Sequence, residues 1–484
     1  MFRPDGRCSS LWRRSFRHIK RTKKRCASTK GYQSIGSFHS ENLADLVKAS
    51  EDTYTAPTLP FPDDVREVVS SPYSLDLQQW TFLNHGAFGA ALTVGTRRAE
   101  QWRHYMELQP LRFFDRTLLP HLAYSTRRLS NFIHLPRREE MALIPNVTFG
   151  MNSVISSYFR EYGKSGHVIL WDTSYGSVKK MTHHYGFDAV TEIPFQRLYL
   201  DGLAQSSDPE QVFVQALQDC LYQFTASTEP LMILDHVSSN TALTFPIQKL
   251  ASAIREWNPH AVIVVDGAHG LLAQPLNMDQ VFDSGVDFYL SNAHKWLSAP
   301  RGAAFLAINK YESRWQNILH PAVYSHGGDA DDLLSRFVWD GTRDYAAALS
   351  LPVVLDFWEQ QDPSHVRDKI RKQLREGIHI LAKHWHPDYA DDMDQWPGNI
   401  TLAGLDSTVL SSPMILVKLP FQSDHMYDSS DAKAVQDYLY SKYIEAPIKC
   451  INGELYVRVS CHIYNCSDDF VMLAKTIQSF PVVR

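Results

Sequence analysis

Five short apolar runs, at residues 167–171, 231–234, 261–265, 288–290 and 303–308, limit the folds open to this chain. None alternates with polar residues, and helical stretches separate them. Continuous apolar strands of that kind are covered on both faces, which predicts an α/β fold with a mostly parallel sheet wrapped by helices. Residues 95–129 read as amphipathic helical sequence ahead of the sheet. A further helix is expected from Ala346, interrupted by Pro352. Towards the C-terminus helical segments alternate with strands at 414–418 and 455–460, as in a smaller α+β unit. The expected organisation is a leader over 1–50, an N-terminal arm and helix over 51–115 that joins the smaller domain, a large domain over 116–350 and a small C-terminal domain over 351–484.

The 484 residues, 44% apolar and 21% charged, suffice for two domains with a large core. The net charge of −5 hides an asymmetry, because residues 1–40 carry eleven Arg and Lys against the single acid Asp5. The remainder is distinctly acidic, which argues against nucleic acid as its partner. The leader is rich in Arg and Ser, with Leu11, Trp12, Phe16 and Ile19 among the charges, and this composition suits a mitochondrial presequence. A retained disordered tail, a nuclear signal in 21–25 and a cytoplasmic protein are the alternatives. No apolar window reaches the length needed to cross a bilayer, so no membrane partner is expected. Six cysteines without CxxC spacing indicate neither a disulfide framework nor a metal site. The sequon at Asn146 is read as coincidence.

Ligands in open α/β sheets sit beyond the carboxyl ends of the strands. The run 261–265 leads into Asp266-Gly-Ala-His269, and the run 288–290 leads into Ser291-Asn-Ala-His-Lys295. An acid and an amine 29 residues apart, each just past an apolar strand, are placed to meet in one crevice. That pair suits pyridoxal 5′-phosphate chemistry: the amine forms a Schiff base and then takes the Cα proton, while the carboxylate keeps the ring nitrogen protonated.

Seven segments in order resemble the class V pyridoxal-phosphate aminotransferase superfamily, and within it the isopenicillin N epimerase-like and L-cysteine desulfhydrase-like group. They are FLNHGAFGA (82–90), NVTFGMN (146–152), DHVSSNTALTFP (235–246), VDGAHG (265–270), SNAHKWLSAPRG (291–302), DGTRD (340–344) and VRVSCHIYN (457–465). The resemblance implies fold type I, the aspartate-aminotransferase architecture, with pyridoxal 5′-phosphate as cofactor. It implies Lys295 as the Schiff-base lysine, Asp266 at the ring nitrogen and His269 near the ring hydroxyl. Val147 and Thr148 match the phosphate-binding turn, where a helix N-terminus presents free amides. Asn292 and His294 fall at further phosphate positions, Tyr175 where an aromatic ring stacks on the cofactor, and Ser239 near the ring hydroxyl. Thr342 matches a loop that reaches the neighbouring subunit's phosphate, which implies a homodimer with shared sites. Arg458 matches the arginine that grips the substrate α-carboxylate, where a guanidinium fork fixes orientation. Asn84 and His85 are expected to line the substrate entrance.

Fold does not choose the reaction. A persulfide-forming desulfurase needs a mobile nucleophilic cysteine; the nearest candidate, Cys450, lies in a compact segment that reads as a strand end and tight turn. β-Elimination from a sulfur amino acid, a step in cysteine metabolism, needs only Lys295 and a stabilised leaving sulfur. Epimerisation needs a second acid–base group on the opposite face. The expectation is a carbon–sulfur lyase, with an amino-acid epimerase as the alternative and a non-catalytic scaffold third.

Overall fold

A computed structural model describes residues 43–481 apart from 66–71, 204, 225–228, 310–314, 316–317, 328–331, 387–388, 390–399, 403–411 and 422–425. The basic leader expected over 1–50 therefore lies outside the described residues up to residue 42. In chain order the strands are β1 (Thr81–Phe82), β2 (Met141–Ile144), β3 (His167–Trp171), β4 (Ala189–Ile193), β5 (Leu231–Asp235), β6 (Val262–Asp266), β7 (Phe288–Asn292) and β8 (Ala304–Ile308). They continue with β9 (Met414–Lys418), β10 (Ile444–Glu445), β11 (Ile448–Ile451) and β12 (Glu454–Ser460).

Seven strands form the central sheet in the order β2-β8-β7-β6-β5-β3-β4. Only β8 runs antiparallel to its neighbours. Every residue of β5, β6, β7 and β8 is buried. Alternate side chains enter two separate cores, which is how a doubly covered strand reads as a continuous apolar run. Val168 and Leu170 pack on one face with Val154, Ile155 and Tyr158 of the helix Val147–Tyr162. Ile169 and Trp171 join the other core with Phe213 and Ile254.

Two strands of the central sheet were not expected. β4 is an edge strand, half-exposed along most of its length, and its Glu192 pairs with Lys179. β2 is a four-residue run directly after the charged turn Arg138–Glu140. The helical sequence expected over 95–129 is divided into Thr93–Leu108 and Leu118–Phe132, with Pro110 opening a new turn between them. Proline lacks the N–H that would continue the first helix. Pro352 acts likewise in the first turn of Leu351–Gln361, after the short helix Ala346–Leu349.

The second sheet is antiparallel, β11-β12-β9. Asn452 and Gly453, both at positive φ (49° and 81°), join β11 to β12 as a two-residue hairpin turn. β1 pairs in parallel with β10, Thr81 opposite Ile444, so the N-terminal arm is bound to the C-terminal region. Among the described residues no helix is long and apolar enough to cross a membrane.

Candidate active site

A cavity of about 460 Å³ opens at the carboxyl ends of β5, β6 and β7. Eleven of the residues singled out in the sequence line it: Asn84, Val147, Thr148, Tyr175, Ser239, Asp266, His269, Asn292, His294, Lys295 and Arg458. Its size lies in the range of small-molecule sites.

The Lys295 amine lies 3.0 Å from His269 Nε2, and Trp296 Nε1 donates to His269 Nδ1 at 3.3 Å. An indole N–H can only donate, so the neutral imidazole carries its proton on Nε2 and donates it to the lysine. Burial, with the nearby Lys295 and Arg458 charges, holds His269 well below the usual imidazole range, in agreement with that neutral ring. That contact suits the free-amine form of Lys295, which can accept the proton. Burial, helped by the Arg458 charge, lowers the Lys295 amine to about 8 against the opposing pull of Asp266.

The main chain of this loop is clamped from beneath. His85 Nε2 donates to the Lys295 carbonyl at 3.0 Å, and His462 Nε2 to the Trp296 carbonyl at 3.2 Å. Their Nδ1 atoms accept from Tyr464 at 3.0 Å and Tyr73 at 2.9 Å. Burial keeps both imidazoles neutral, His85 well below its usual range and His462 at about 4. The structure thus places His85 behind the cavity wall rather than at the entrance, because its buried ring packs against Trp296 and His462. Gly89 explains the rest of that segment: at φ +68° a Cβ would lie 1.8 Å from the His294 carbonyl oxygen. Only glycine lets the arm press so closely on the lysine loop.

At the other end of the cavity the helix Val147–Tyr162 presents its N-terminus. Asn292 Oδ1 accepts from the Val147 amide at 3.0 Å, and the Asn146 side chain accepts from Phe149 at 2.9 Å. Asn292 therefore braces the turn, while the exposed Thr148, in the first turn of the helix, lines the cavity. Tyr175, 47% exposed, stands on the wall before the helix Gly176–Tyr185. Thr342 is exposed and outside this chain's cavity lining.

Arg458 on β12 is buried and oriented by two neighbours. One terminal nitrogen donates to the Ser239 carbonyl at 2.5 Å, the other to Asn84 Oδ1 at 3.2 Å, and Asn84 donates to Glu445 at 3.0 Å. Ser239 thus meets the guanidinium, and Asn84, itself buried, steadies Arg458 from the cavity wall. Arg458 Nε is buried without a partner. An amine of lowered basicity, a buried acid, an open helix N-terminus and a guanidinium with an unpartnered Nε, all on one cavity, together fit pyridoxal 5′-phosphate and an amino-acid substrate.

Sequence reasoning missed Asp235. It ends β5 opposite Asp266 in register, lines the cavity and accepts from Ser174 at 2.9 Å. An apolar run ending in Asp, the signal that marked Asp266, marks Asp235 too. Burial raises both carboxyls, and the Asp266 charge helps push Asp235 up to about 7. Below about pH 4 the folded and unfolded chains both hold this proton. From there to about pH 7 the unfolded chain alone ionises, so stability falls as pH rises. Asp235→Asn should remove that loss: the melting temperature of the apoprotein should fall less between about pH 5 and about pH 8 than in the parent. Equal falls would sink the assignment.

Cys450 faces away from the cavity. It follows Lys449, which lines the cavity, and its thiol donates to the Tyr427 carbonyl at 3.2 Å. Among the described residues no cysteine lines the cavity.

Residues 121–388, more than half of the chain, match the family described as Aminotransferase class-V. A probable L-cysteine desulfhydrase, chloroplastic, of Arabidopsis thaliana is 27% identical over 433 residues, covering 84% of each chain. An isopenicillin N epimerase of Amycolatopsis lactamdurans is 26% identical over 78% of this chain and 89% of its own. Among solved structures, a cystine C–S lyase in complex with its product cysteine persulfide superposes with a TM-score of 0.64 at 17% identity, over 84% of this chain and 98% of the other. The family match takes in Asp266, His269 and Lys295, the fold agrees with that of the lyase, and the chain belongs to the class-V aminotransferases.

Proposed function

We propose that the protein is a pyridoxal 5′-phosphate-dependent carbon–sulfur lyase acting on cysteine or an S-substituted cysteine. The observation that carries this reading is one cavity lined together by the amine of Lys295, the guanidinium of Arg458 and the carboxylate of Asp266. Bound there, the cofactor supplies an aldehyde that couples to amines and a ring that takes up the electron pair left at the substrate Cα. Thr148 and Asn292 would hold its phosphate end, Asp266 its ring nitrogen, and Tyr175 would lie against the ring. Arg458 pins the substrate carboxylate, which fixes the direction of the Cα–H bond. Lys295, whose amine burial has lowered to about 8, takes that proton and returns it to the departing sulfur. Loss of the β-sulfur followed by addition of water gives the sulfur fragment, pyruvate and ammonia. No cysteine of the cavity wall is needed to carry sulfur.

The test is incubation of the holoenzyme with L-cysteine and S-substituted cysteines, following sulfide or thiol, pyruvate and D-isomer separately. Sulfur release with equimolar pyruvate is expected. D-isomer without either product would replace the reading by epimerisation, and a chain with no cofactor band near about 420 nm by a scaffold.

The exposed Thr342, away from its own cavity, supports a homodimer in which the 340–344 loop serves a neighbouring copy. We also propose that the basic leader directs the chain to the mitochondrion, with cytoplasmic residence as the alternative.

A further inference from the structure

We propose that Lys449 and Arg458 form a two-cation gauge that selects cysteine derivatives whose sulfur-bearing arm ends in a second anionic group, such as a carboxylate. The inference rests on the lyase reading and narrows its substrate class. β11 and β12 are antiparallel, with Lys449 opposite Tyr456 and Arg458 two residues further along β12. Residues opposite one another or two apart share a face, so both cations project from one side of the hairpin, and both line the cavity. The backbones of diagonal neighbours of this kind stand about 7–8 Å apart, so two long cationic side chains that enter one cavity are within reach of the two carboxylates of a short thioether.

Lys449 is half-buried, and among the described residues its side chain has no ion pair or hydrogen bond. Lys179, Lys249, Lys418 and Lys433 all have acidic partners. Burial, with the Arg458 charge, pushes the Lys449 amine down to about 8. A cation left unpaired in a wall costs free energy that a bound anion would return. Its neighbours leave that role open. Gln436 spends its carbonyl oxygen on the Ile448 amide at 3.2 Å, leaving its NH₂ as a donor, and Glu445 is engaged by Asn84. The cofactor-phosphate end of the cavity lies elsewhere, at Thr148 and Asn292. L-Cysteine, with one carboxylate, can satisfy Arg458 alone.

The probes are S-carboxymethyl-L-cysteine and its neutral isostere S-carbamoylmethyl-L-cysteine, titrated into the holoenzyme while the cofactor absorption is followed. The parent protein should bind the acid more tightly than the amide by on the order of tenfold. Lys449→Met should bring that ratio to about one, and Lys449→Arg should keep the preference. A ratio of about one in the parent, an unchanged ratio in Lys449→Met, or no spectral response to either probe would overturn the inference. Binding is read without turnover, so the two readings fail separately. Discrimination without sulfur release would remove the lyase and leave the gauge, whereas release from both probes at equal affinity would do the reverse.

Discussion

Lys295→Ala is expected to lower sulfur release by at least about a thousandfold while the protein stays folded. The loop that carries Lys295 is held by its main chain, through His85 on the Lys295 carbonyl and His462 on the Trp296 carbonyl. Neither bond uses the amine. Removing a cavity-wall amine that burial has already lowered to about 8 should not reduce the melting temperature. The variant should also lose the cofactor band near about 420 nm, since nothing else in the wall offers a free primary amine except Lys449 on the opposite hairpin. The sign of the pH dependence follows from the same group. Its value is lowered, so the reactive free amine predominates above about pH 8 rather than above the ordinary 10.5. Loading of the wild-type apoprotein with cofactor should accordingly rise with pH and be half-maximal near 8. A variant that keeps turnover, or loading that climbs only near the ordinary lysine value, would remove Lys295 from the chemistry.

Arg458→Met should cost about a hundredfold to a thousandfold in kcat/KM, most of it in KM. The guanidinium is held on two sides by Ser239 and Asn84, which gives it one orientation before substrate arrives. Preorganisation of that kind is lost entirely when the fork is removed, and Arg458→Lys should recover little because a point charge cannot pair at two atoms. A second readout separates recognition from a general loss of structure. The Arg458 charge depresses the amines of both Lys295 and Lys449, so its removal should move the midpoint of cofactor loading upward from about 8. An unfolded variant would show no loading at all. Unchanged KM would place the substrate carboxylate elsewhere.

The parts of the fold that were legible in the sequence are those that burial on both faces made continuous. β3 and β9 begin and end where their apolar runs do. β4 was hidden because an edge strand mixes exposed and paired polar residues, here Thr191 and Glu192, with its apolar ones. Pro110 was visible as a letter, but whether a proline bends a helix or begins a new one depends on what packs around it. In the site, Asp266 and Lys295 were legible as strand ends, and Asp235 carried the same mark unread. The direction of His85 was not legible. It sits in a four-residue helix, too short for periodicity to say which way a side chain points, and the stacking partner His462 lies far along the chain. Lys449 could have been found: the Asn452-Gly453 pair fixes a two-residue hairpin, and counting back from it sets Lys449 on the face of Arg458.

That turn carries a consequence for how such a protein can change. In β structure a slip of one residue turns every side chain to the opposite side of the sheet. The handedness of the substrate pocket is therefore stored in Asn452 and Gly453, two residues that line no part of the cavity. Length drift here would leave the seven-strand scaffold and its cofactor groups standing while sending Arg458 and Lys449 to the wrong side. Mutational tolerance should be unevenly divided: loose in the surface connections of the large sheet, and strict in a two-residue corner that keeps count.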